Sequence, residues 1–484
     1  MKTRRDQVQA HGFMVGRLST AMLEADPDAL EAPMRRTRAG TAIGLVLALL
    51  IGAGFLVFGL IFPGGATSWR TEGAVIAVKD GGGRYVYSDS ALWPVANHAS
   101  ALLLGSGDPV RVAAESLEGT PVAAPIGIPG APDAVPAGGA EKPLVWQVCA
   151  VPVATGAEDA PRALTALTVG RKAEGEDVAE DRAVLAAGPD GSRHLLWGGE
   201  RLRLDEENGA AEALGYGTSP AHPVSAQLLA ALPEGPELAA PEVDGLGGEG
   251  PEIGGEPRRL GQVFTVDGEG EGGGAGQYYV LERDGLAPVG EVPARLLLAD
   301  PRTAEKAYGG GSAEAVPLTV AELRPHLSDR EPESGGLPAE PPELAGTGGS
   351  ALCAVEDGGD AVGLALRAPA SITARAAEPP PGSTPSCTAP DLIGVRSGEG
   401  GLVRAARAGG DAARGSYFLV TDTGAKYPVP DKESAEKLGH PPSTAGDVPA
   451  VLLDMLPTGP ELSTAAAAAP AAAPPPPGGP DCPE

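Results

Sequence analysis

Thr41–Phe62, TAIGLVLALLIGAGFLVFGLIF, carries no charge, no polar group beyond Thr41 and no proline. An unbroken apolar run of roughly 20 residues, at about 1.5 Å per helical residue, crosses a hydrocarbon layer of about 30 Å. Arg35, Arg36 and Arg38 precede it, and Pro63-Gly64-Gly65 and Trp69 follow it. No comparable run occurs elsewhere in the 484 residues. The pattern predicts one transmembrane helix over 41–62 that separates a short piece, 1–40, from a large one, 63–484, on opposite sides of a membrane.

The flanks set the expected orientation. Residues 1–38 hold seven Lys/Arg (Lys2, Arg4, Arg5, Arg17, Arg35, Arg36, Arg38) and five Asp/Glu. Basic residues beside a span stay on the cytoplasmic side, so the N-terminus is expected inside and the bulk outside, in a single-pass protein of the cell membrane. A cleaved signal peptide is the alternative. It fits poorly, because its apolar region is shorter and about 40 residues precede this one. The remainder keeps 29 of the 36 Lys/Arg and 59 of the 64 Asp/Glu, a formal charge of −30. Such a charge argues against nucleic acid and against anionic lipid as partners. All four cysteines (Cys149, Cys353, Cys387, Cys482) lie beyond the span. An even count in an oxidising compartment points to disulfides. Without CxxC spacing, and with six scattered His, no metal or redox site is expected.

Within the short piece, residues 4–24 read as an amphipathic helix. Val8, His11, Val15, Leu18 and Met22 recur at steps of three and four, and Ala25-Asp26-Pro27 stops the pattern. That stripe must be covered by lipid or by a protein, and the modest positive charge favours a protein, making this a docking helix. Along the span, Gly40, Gly44, Ala48 and Gly52 stand four apart. A smooth stripe of this kind lets a second helix approach closely, although Gly and Ala are ordinary in membrane helices.

The large piece is punctuated by Gly and Pro, which number 71 and 50. They concentrate in the expected linkers Glu234–Gly261, Glu331–Ser350 and Pro379–Thr388. A Pro/Ala-rich tail, 463–484, is expected to be disordered. Between the linkers, one kind of apolar run follows a glycine: Gly83-Arg84-Tyr85-Val86-Tyr87, Gly191 to Trp197, Gly276 to Leu281, and Gly415 to Val420. These open four repeats, near 83–122, 191–240, 276–320 and 415–462. The second and fourth align without gaps, from Leu214-Gly215 to Leu232-Pro233-Glu234-Gly235-Pro236-Glu237-Leu238 and from Leu438-Gly439 to Leu456-Pro457-Thr458-Gly459-Pro460-Glu461-Leu462. A second kind of run alternates with them: Val75–Val78, Leu144–Val148, Gln262–Val266 and Leu352–Val355. We read these as strands of a shared central core. The expected class is a β-rich α+β extracytoplasmic domain, a central β core with four small repeat domains burying one composite core, preceded by a single transmembrane helix.

Arg4-Arg5-Asp6-Gln7-Val8-Gln9-Ala10 with Phe13, the Asp26-Pro27-Asp28 turn, Pro33-Met34-Arg35-Arg36, Tyr85-Val86-Tyr87, Leu92-Trp93-Pro94-Val95-Ala96-Asn97 and the Leu-Pro-x-Gly-Pro repeat ends together resemble the EccB family, a membrane component of the type VII (ESX) secretion machinery of actinobacteria. The resemblance runs from about residue 3 to 462. It implies a structural subunit that assembles with EccC, EccD and EccE, lies close to the MycP protease, and forms homo-oligomers. It implies an elongated β-rich core with four repeats similar to a phage cell-wall-binding lysin module, hence a possible contact with the cell wall. It also implies a disulfide between the matching positions Cys149 and Cys353, while the pairing of Cys387 and Cys482 stays open. The family has been described as ATPases. This chain has no G-x-x-x-x-G-K-[ST], and Glu271–Gly276 is glycine-rich but acidic, with no lysine nearby to hold a phosphate. G-x-S-x-G and H-E-x-x-H are absent too. No catalytic residue, cofactor or metal ligand is therefore assigned. A membrane anchor that binds cell wall and a nucleotide hydrolase are the competing readings.

Overall fold

A computed structural model describes residues 4–24, 34–61, 68–79, 81, 83–138, 144–153, 162–266, 277–330, 335–358, 362–406, 416–474, 476 and 482. The helix stop at 25–27, the Asp26-Pro27-Asp28 turn, Pro63-Gly64-Gly65 and the acidic glycine run Glu271–Gly276 lie outside these residues. The chain forms two units, one of residues 1–69 with 78–82 and 111–119, the other of the rest.

The first unit is dominated by two helices, α1 (Arg4–Glu24) and α2 (Met34–Ile61). The helical path of α2 begins within the basic flank, seven residues ahead of the predicted start. Thr41, the lone polar residue of the apolar run, donates its hydroxyl to the Thr37 carbonyl at 2.8 Å. The one group that hydrocarbon would penalise is thereby satisfied inside its own helix. Ala39–Val57 is the stretch long and apolar enough to cross a membrane.

The second unit is built around a seven-stranded sheet. Its order is Arg375–Ala376, Leu392–Val395, Arg162–Val169, Trp146–Val153, Ala351–Glu356, Gly363–Arg367, Gly175–Asp177. Its strands are antiparallel except where Leu392–Val395 runs parallel to Arg162–Val169. The middle strands Trp146–Val153 and Ala351–Glu356 are buried over five consecutive residues. A strand covered on both faces reads as a continuous apolar run rather than an alternating one.

Four smaller sheets accompany it, with orders Ala91–Pro94, Arg84–Ser88, Ala74–Val78, Ser106–Val112; Glu200–Arg203, Arg193–Trp197, Arg182–Ala187, His222–Pro223; Gly285–Val289, Gln277–Glu282, Val263–Val266, Val316–Pro317; and Lys426–Val429, Tyr417–Val420, Gly401–Ala406, Gly446–Pro449. In each, three sequential strands form a meander. In the second, third and fourth, the last strand returns parallel to the first. Helices fill the return, as a parallel connection requires.

This arrangement corrects the reading of the second kind of run. Leu144–Val148 and Leu352–Val355 do lie in the core sheet, but Val75–Val78 and Val263–Val266 are first strands of repeats. They pair with the aromatic strands that follow them, Val75 with Val86 and Phe264 with Tyr279. A strand close in sequence to its successor pairs with it at less loop-closure cost than a strand joining a distant core. Each repeat sheet thus starts one strand earlier than the glycine that marked it.

Two further expectations change. Glu234–Gly261 is not all linker. Glu249–Ile253 and Glu256–Arg259 form a hairpin. Its two-residue turn, Gly254-Gly255, has φ of 64° and 78°, which glycine adopts freely and a two-residue β-turn demands. The apolar core is also plural. One cluster joins the central sheet (Trp146, Leu167, Leu352) to the second repeat (Leu196, Leu228) and the fourth (Val403, Leu452), but the third repeat has its own around Ile253, Phe264 and Leu281.

The ends of the repeats share a hydrogen-bond pattern. In the second, Arg201 N–H donates to Pro233 O, Gly235 N–H to Arg201 O and Leu238 N–H to Arg203 O, at 2.9, 3.1 and 2.8 Å. In the fourth, Lys426, Pro457, Gly459, Leu462 and Pro428 repeat the three bonds at 3.0, 2.8 and 2.8 Å. The first repeat makes the same set with Leu92, Pro121, Ala123, Ile126 and Pro94, although Pro121–Ile126 shares little sequence with the other two. Backbone groups carry these bonds, so the motif constrains side chains weakly.

Finally, the tail is not disordered throughout. Ser463 caps a short helix, Thr464–Ala467, by accepting from Ala466 N–H. Leu462 and Ala467 are fully buried. Beyond them, Gly127 N–H donates to Ala469 O at 3.0 Å and Ala471 N–H to Pro125 O at 2.9 Å. A composition without an apolar face was read as unable to fold alone. Here it adds to an edge already formed by the first repeat, and backbone bonds supply what side chains lack.

Candidate functional site

The middle of the core sheet carries a covalent pin. Cys149 and Cys353 are directly opposed in the antiparallel register of Trp146–Val153 and Ala351–Glu356, both are fully buried, and they are joined as a disulfide spanning 204 residues of sequence. Ala166, Ala351 and Ala365 surround it. Small side chains at these positions leave room for two sulfurs between neighbouring strands.

A cavity of about 350 Å³ lies between this sheet and the fourth repeat, lined among others by Trp146, Glu356, Leu402, His440, Asp447 and Val448. The Trp146 indole N–H has no hydrogen-bond partner among the described residues, but the Asp447 carboxyl and the His440 imidazole are engaged. Arg404 donates from Nε and Nη2 to the two Asp447 oxygens at 2.5 and 2.8 Å, and those bonds hold the Asp447 carboxyl below its ordinary range. His440 Nε2 stands 3.0 Å from Pro136 O. A carbonyl only accepts, so Nε2 carries the proton. Burial pushes the imidazole pKa down.

Two other polar groupings bring reactive residue types together, with their hydrogen bonds directed elsewhere. In the second repeat, Ser192 Oγ donates to Asp190 at 2.6 Å and lies 3.0 Å from His194 Nε2. An activated serine gives its proton to the histidine; this one gives it to the carboxylate. Burial lowers the His194 pKa, consistent with a neutral ring. In the fourth repeat, Lys426 is only 6% exposed, and burial pushes its pKa down. Its Nζ donates to Leu453 O at 2.8 Å and to Asp454 at 3.1 Å, and lies 5.4 Å from the Phe418 ring centroid. With carbonyl, carboxylate and ring as partners, this lysine is placed to tie two elements together. Among the described residues, no group of three or more His, Cys, Asp or Glu stands close enough to hold a metal ion.

The other sequence-derived positions lie in the first unit. Val8, Val15, Leu18 and Met22 are exposed on α1, Met22 at 83%, as is His11. Gly40, Gly44, Ala48 and Gly52 are exposed on α2, and a methyl group added at Gly40, Gly44 or Gly52 would meet nothing within 4 Å. Sequence reasoning did not find three features: the tail pairing, the buried Lys426–Asp454 link, and the bond between Cys387 and Cys482. Lys426 left no signal in the alignment, because Arg201, whose backbone bonds it shares, stands one residue out of register with it.

These features define a membrane protein with one apolar helix and a β-rich domain of four repeats around a disulfide-pinned sheet. The family model described as "Type VII secretion system ESX-1, transport TM domain B" matches residues 1–475, and the chain belongs to this EccB family. It is similar to an ESX-2 secretion system protein named ATPase EccB2 from Mycobacterium tuberculosis, 28% identical over 494 residues, covering 95% of this chain and 93% of the relative. The ESX-1 relative named ATPase EccB1, from the same organism, is 27% identical over 481 residues with the same two coverages. Among solved structures, a chain of an intact ESX-5 inner membrane complex is similar with a TM-score of 0.64 and 25% identity, covering 98% of this chain and 96% of that one. A chain of an EccB3 dimer from the ESX-3 core complex gives 0.64 and 25%, covering 82% and 99%.

Proposed function

We propose that this chain is a structural subunit of a type VII secretion membrane complex, supporting protein export. The observation that carries this reading is the end-to-end likeness to a chain of an intact ESX-5 inner membrane complex, together with a family match over residues 1–475. On this reading α2 anchors the chain, the basic flank keeps the N-terminus in the cytoplasm, and the repeats stand outside. Its partners are the EccC, EccD and EccE membrane subunits, the MycP protease and further copies of itself; the dimeric EccB3 structure supports the last.

The apolar stripe of α1 is proposed as a docking face for another subunit, and Gly40, Gly44, Ala48 and Gly52 as a helix-packing stripe in the membrane. Deleting residues 1–24 should leave the protein inserted but unassembled, read as loss of the large membrane complex on a native gel; an unchanged complex would sink the docking role. Replacing Gly44 and Gly52 with Leu should leave insertion intact and weaken the complex toward detergent. The ATPase in the relatives' names favours a second reading, but the chain offers neither a phosphate-cradling loop with its lysine nor an activated nucleophile at the groupings above. Purified protein freed of contaminants should show no ATP turnover, and sustained turnover would replace the structural reading.

A further inference from the structure

The two disulfides of this chain differ in everything but chemistry. Cys149–Cys353 is fully buried and lies between strands already held by a ladder of backbone bonds. Cys387 and Cys482 are both exposed, are joined across 95 residues, and belong to segments with no strand pairing between them. Thiolate attack on a disulfide requires access to a sulfur. We infer that Cys387–Cys482 is a thiol–disulfide exchange site, at which an external dithiol releases the tail beyond Ala467 from the first repeat.

The two cysteines sit at the ends of different anchors. On one side, Thr384 pairs antiparallel with Thr458 in the closing segment of the fourth repeat, N–H to O at 2.8 and 2.9 Å in the two directions. Thr388 Oγ1 donates to Asp454 O at 3.1 Å, and Ser386 bonds the same carbonyl. Cys387 is therefore fixed to the fourth repeat. On the other side, among the described residues, the tail beyond Ala467 pairs with the closing segment of the first repeat through Ala469 O and Ala471 N–H. Among the described residues past that point, 472–474 and 476 are exposed. Past the buried Ala467, which shares an apolar cluster with Ala99 and Leu103 of the first repeat, the described tail is held by these two backbone bonds and by the covalent tether, which limits how far it can move from its edge.

In the exchange, the thiolate of an external dithiol attacks one sulfur of the pair. A mixed disulfide forms as the S–S bond breaks, and the other cysteine leaves as a thiolate. The second thiol of the reagent then displaces the first cysteine. The reagent is oxidised to its disulfide, and the chain gains two electrons and two protons as two thiols.

The experiment uses the full-length protein in detergent with dithiothreitol as the probe. Thiols are trapped by alkylation and peptides mapped, while hydrogen exchange follows the amides. Cys387 and Cys482 should become labelled at least about 100-fold faster than Cys149 and Cys353. Exchange at Gly127 and Ala471 should rise at least about tenfold, while the Leu92 amide, bonded to Pro121, stays protected. Cys482→Ser and, separately, Cys387→Ser should give the same rise without reductant. Equal labelling rates for the two pairs would overturn the inference. So would selective labelling with unchanged exchange at Gly127 and Ala471. The readouts are internal to the chain, so their failure is independent of any failure of the assembly role.

Discussion

The second and fourth repeats align without gaps from Leu214 to Leu238 and from Leu438 to Leu462, and their differences are more instructive than their likeness. Tyr216 N–H bonds Ala211 O and His440 N–H bonds Ala435 O. Tyr216 donates its hydroxyl to Pro342 O at 2.8 Å, and His440 its Nε2 to Pro136 O at 3.0 Å. Arg201 reaches the Leu232 carbonyl and Glu234, whereas Lys426 reaches the Leu453 carbonyl and Asp454. The backbone scheme and the role of Tyr216 and His440 are shared, while Arg201 and Lys426 donate to different acceptors. What changed is how deeply each position lies: the Arg201 side chain is 26% exposed and that of Lys426 is 7% exposed. A duplicated fold thus tolerates exchange of Tyr216 for His440, each donating to a proline carbonyl, and lets the donor at Arg201 and Lys426 find a new acceptor where burial changes.

The comparison can be broken most forcefully at the helices. Leu228 and Leu452 occupy equivalent positions and lie in the same apolar cluster at 0% and 3% exposure. Truncating either to Ala should cost about 3 kcal/mol. Native-state hydrogen exchange resolved by repeat is the readout, and a large loss at one leucine alone would show that the two repeats do not contribute alike.

A sharper contrast is expected at the closing glycines. A Cβ at Gly459 would stand 2.2 Å from Tyr427 Cε1, in a ring only 2% exposed with little room to yield, so Gly459→Ala should cost about 1–3 kcal/mol. At Gly235 the nearest atom is Glu200 Oε2, at 2.6 Å, the end of a side chain that can swing away. Gly235→Ala should stay within about 0.5 kcal/mol. Similar costs would mean that the Tyr427 ring is not fixed.

Lys426→Ala should cost about 1–2 kcal/mol by leaving the Leu453 carbonyl without its donor, and Arg201→Ala less than about 1 kcal/mol, since that pair is open to solvent. Chemical denaturation of the two variants ranks them, and a reversed order would show that depth does not set the contribution.

The smallest effect is a pH dependence. Burial holds the folded-state pKa of His440 below 6.5, with the bond to Pro136 opposing. Near and below pH 6.5 the unfolded chain then binds more protons than the folded one. The contribution is full above 6.5 and is lost as pH falls from there through the folded value. Tyr216, pushed up to about 12, gives the second repeat no such term at that position. His440→Gln should therefore reduce the acid sensitivity of unfolding. It should not abolish it, because His98, His194 and His222 are shifted in the same direction. An unchanged slope would mean that the His440 site stays wet.

Much of this protein was legible from local pattern. The Thr41–Phe62 run announced its helix because hydrocarbon imposes a length and a composition on any segment that crosses it. The second and fourth repeats announced themselves through Leu-Pro-x-Gly-Pro-Glu-Leu. The first repeat hid the same ending, since Pro121, Ala123 and Ile126 make its bonds with backbone atoms that leave almost no trace in side-chain identity. The extra strand of each repeat was missed for a related reason: Val75–Val78 and Leu352–Val355 are equally apolar, and only their neighbours in the chain and in space tell a repeat strand from a core strand.

Sequence therefore determined the membrane segment, the repeat count and the β-rich class, because each rests on periodicity or composition within a short window. Tertiary structure decided the rest. Cys387 met Cys482, the Pro/Ala tail bridged to the first repeat, and Lys426 was buried against Asp454, each through partners tens to hundreds of residues away. A side chain's type limits what it can bond, but its burial and its partner depend on what the remainder of the fold brings beside it.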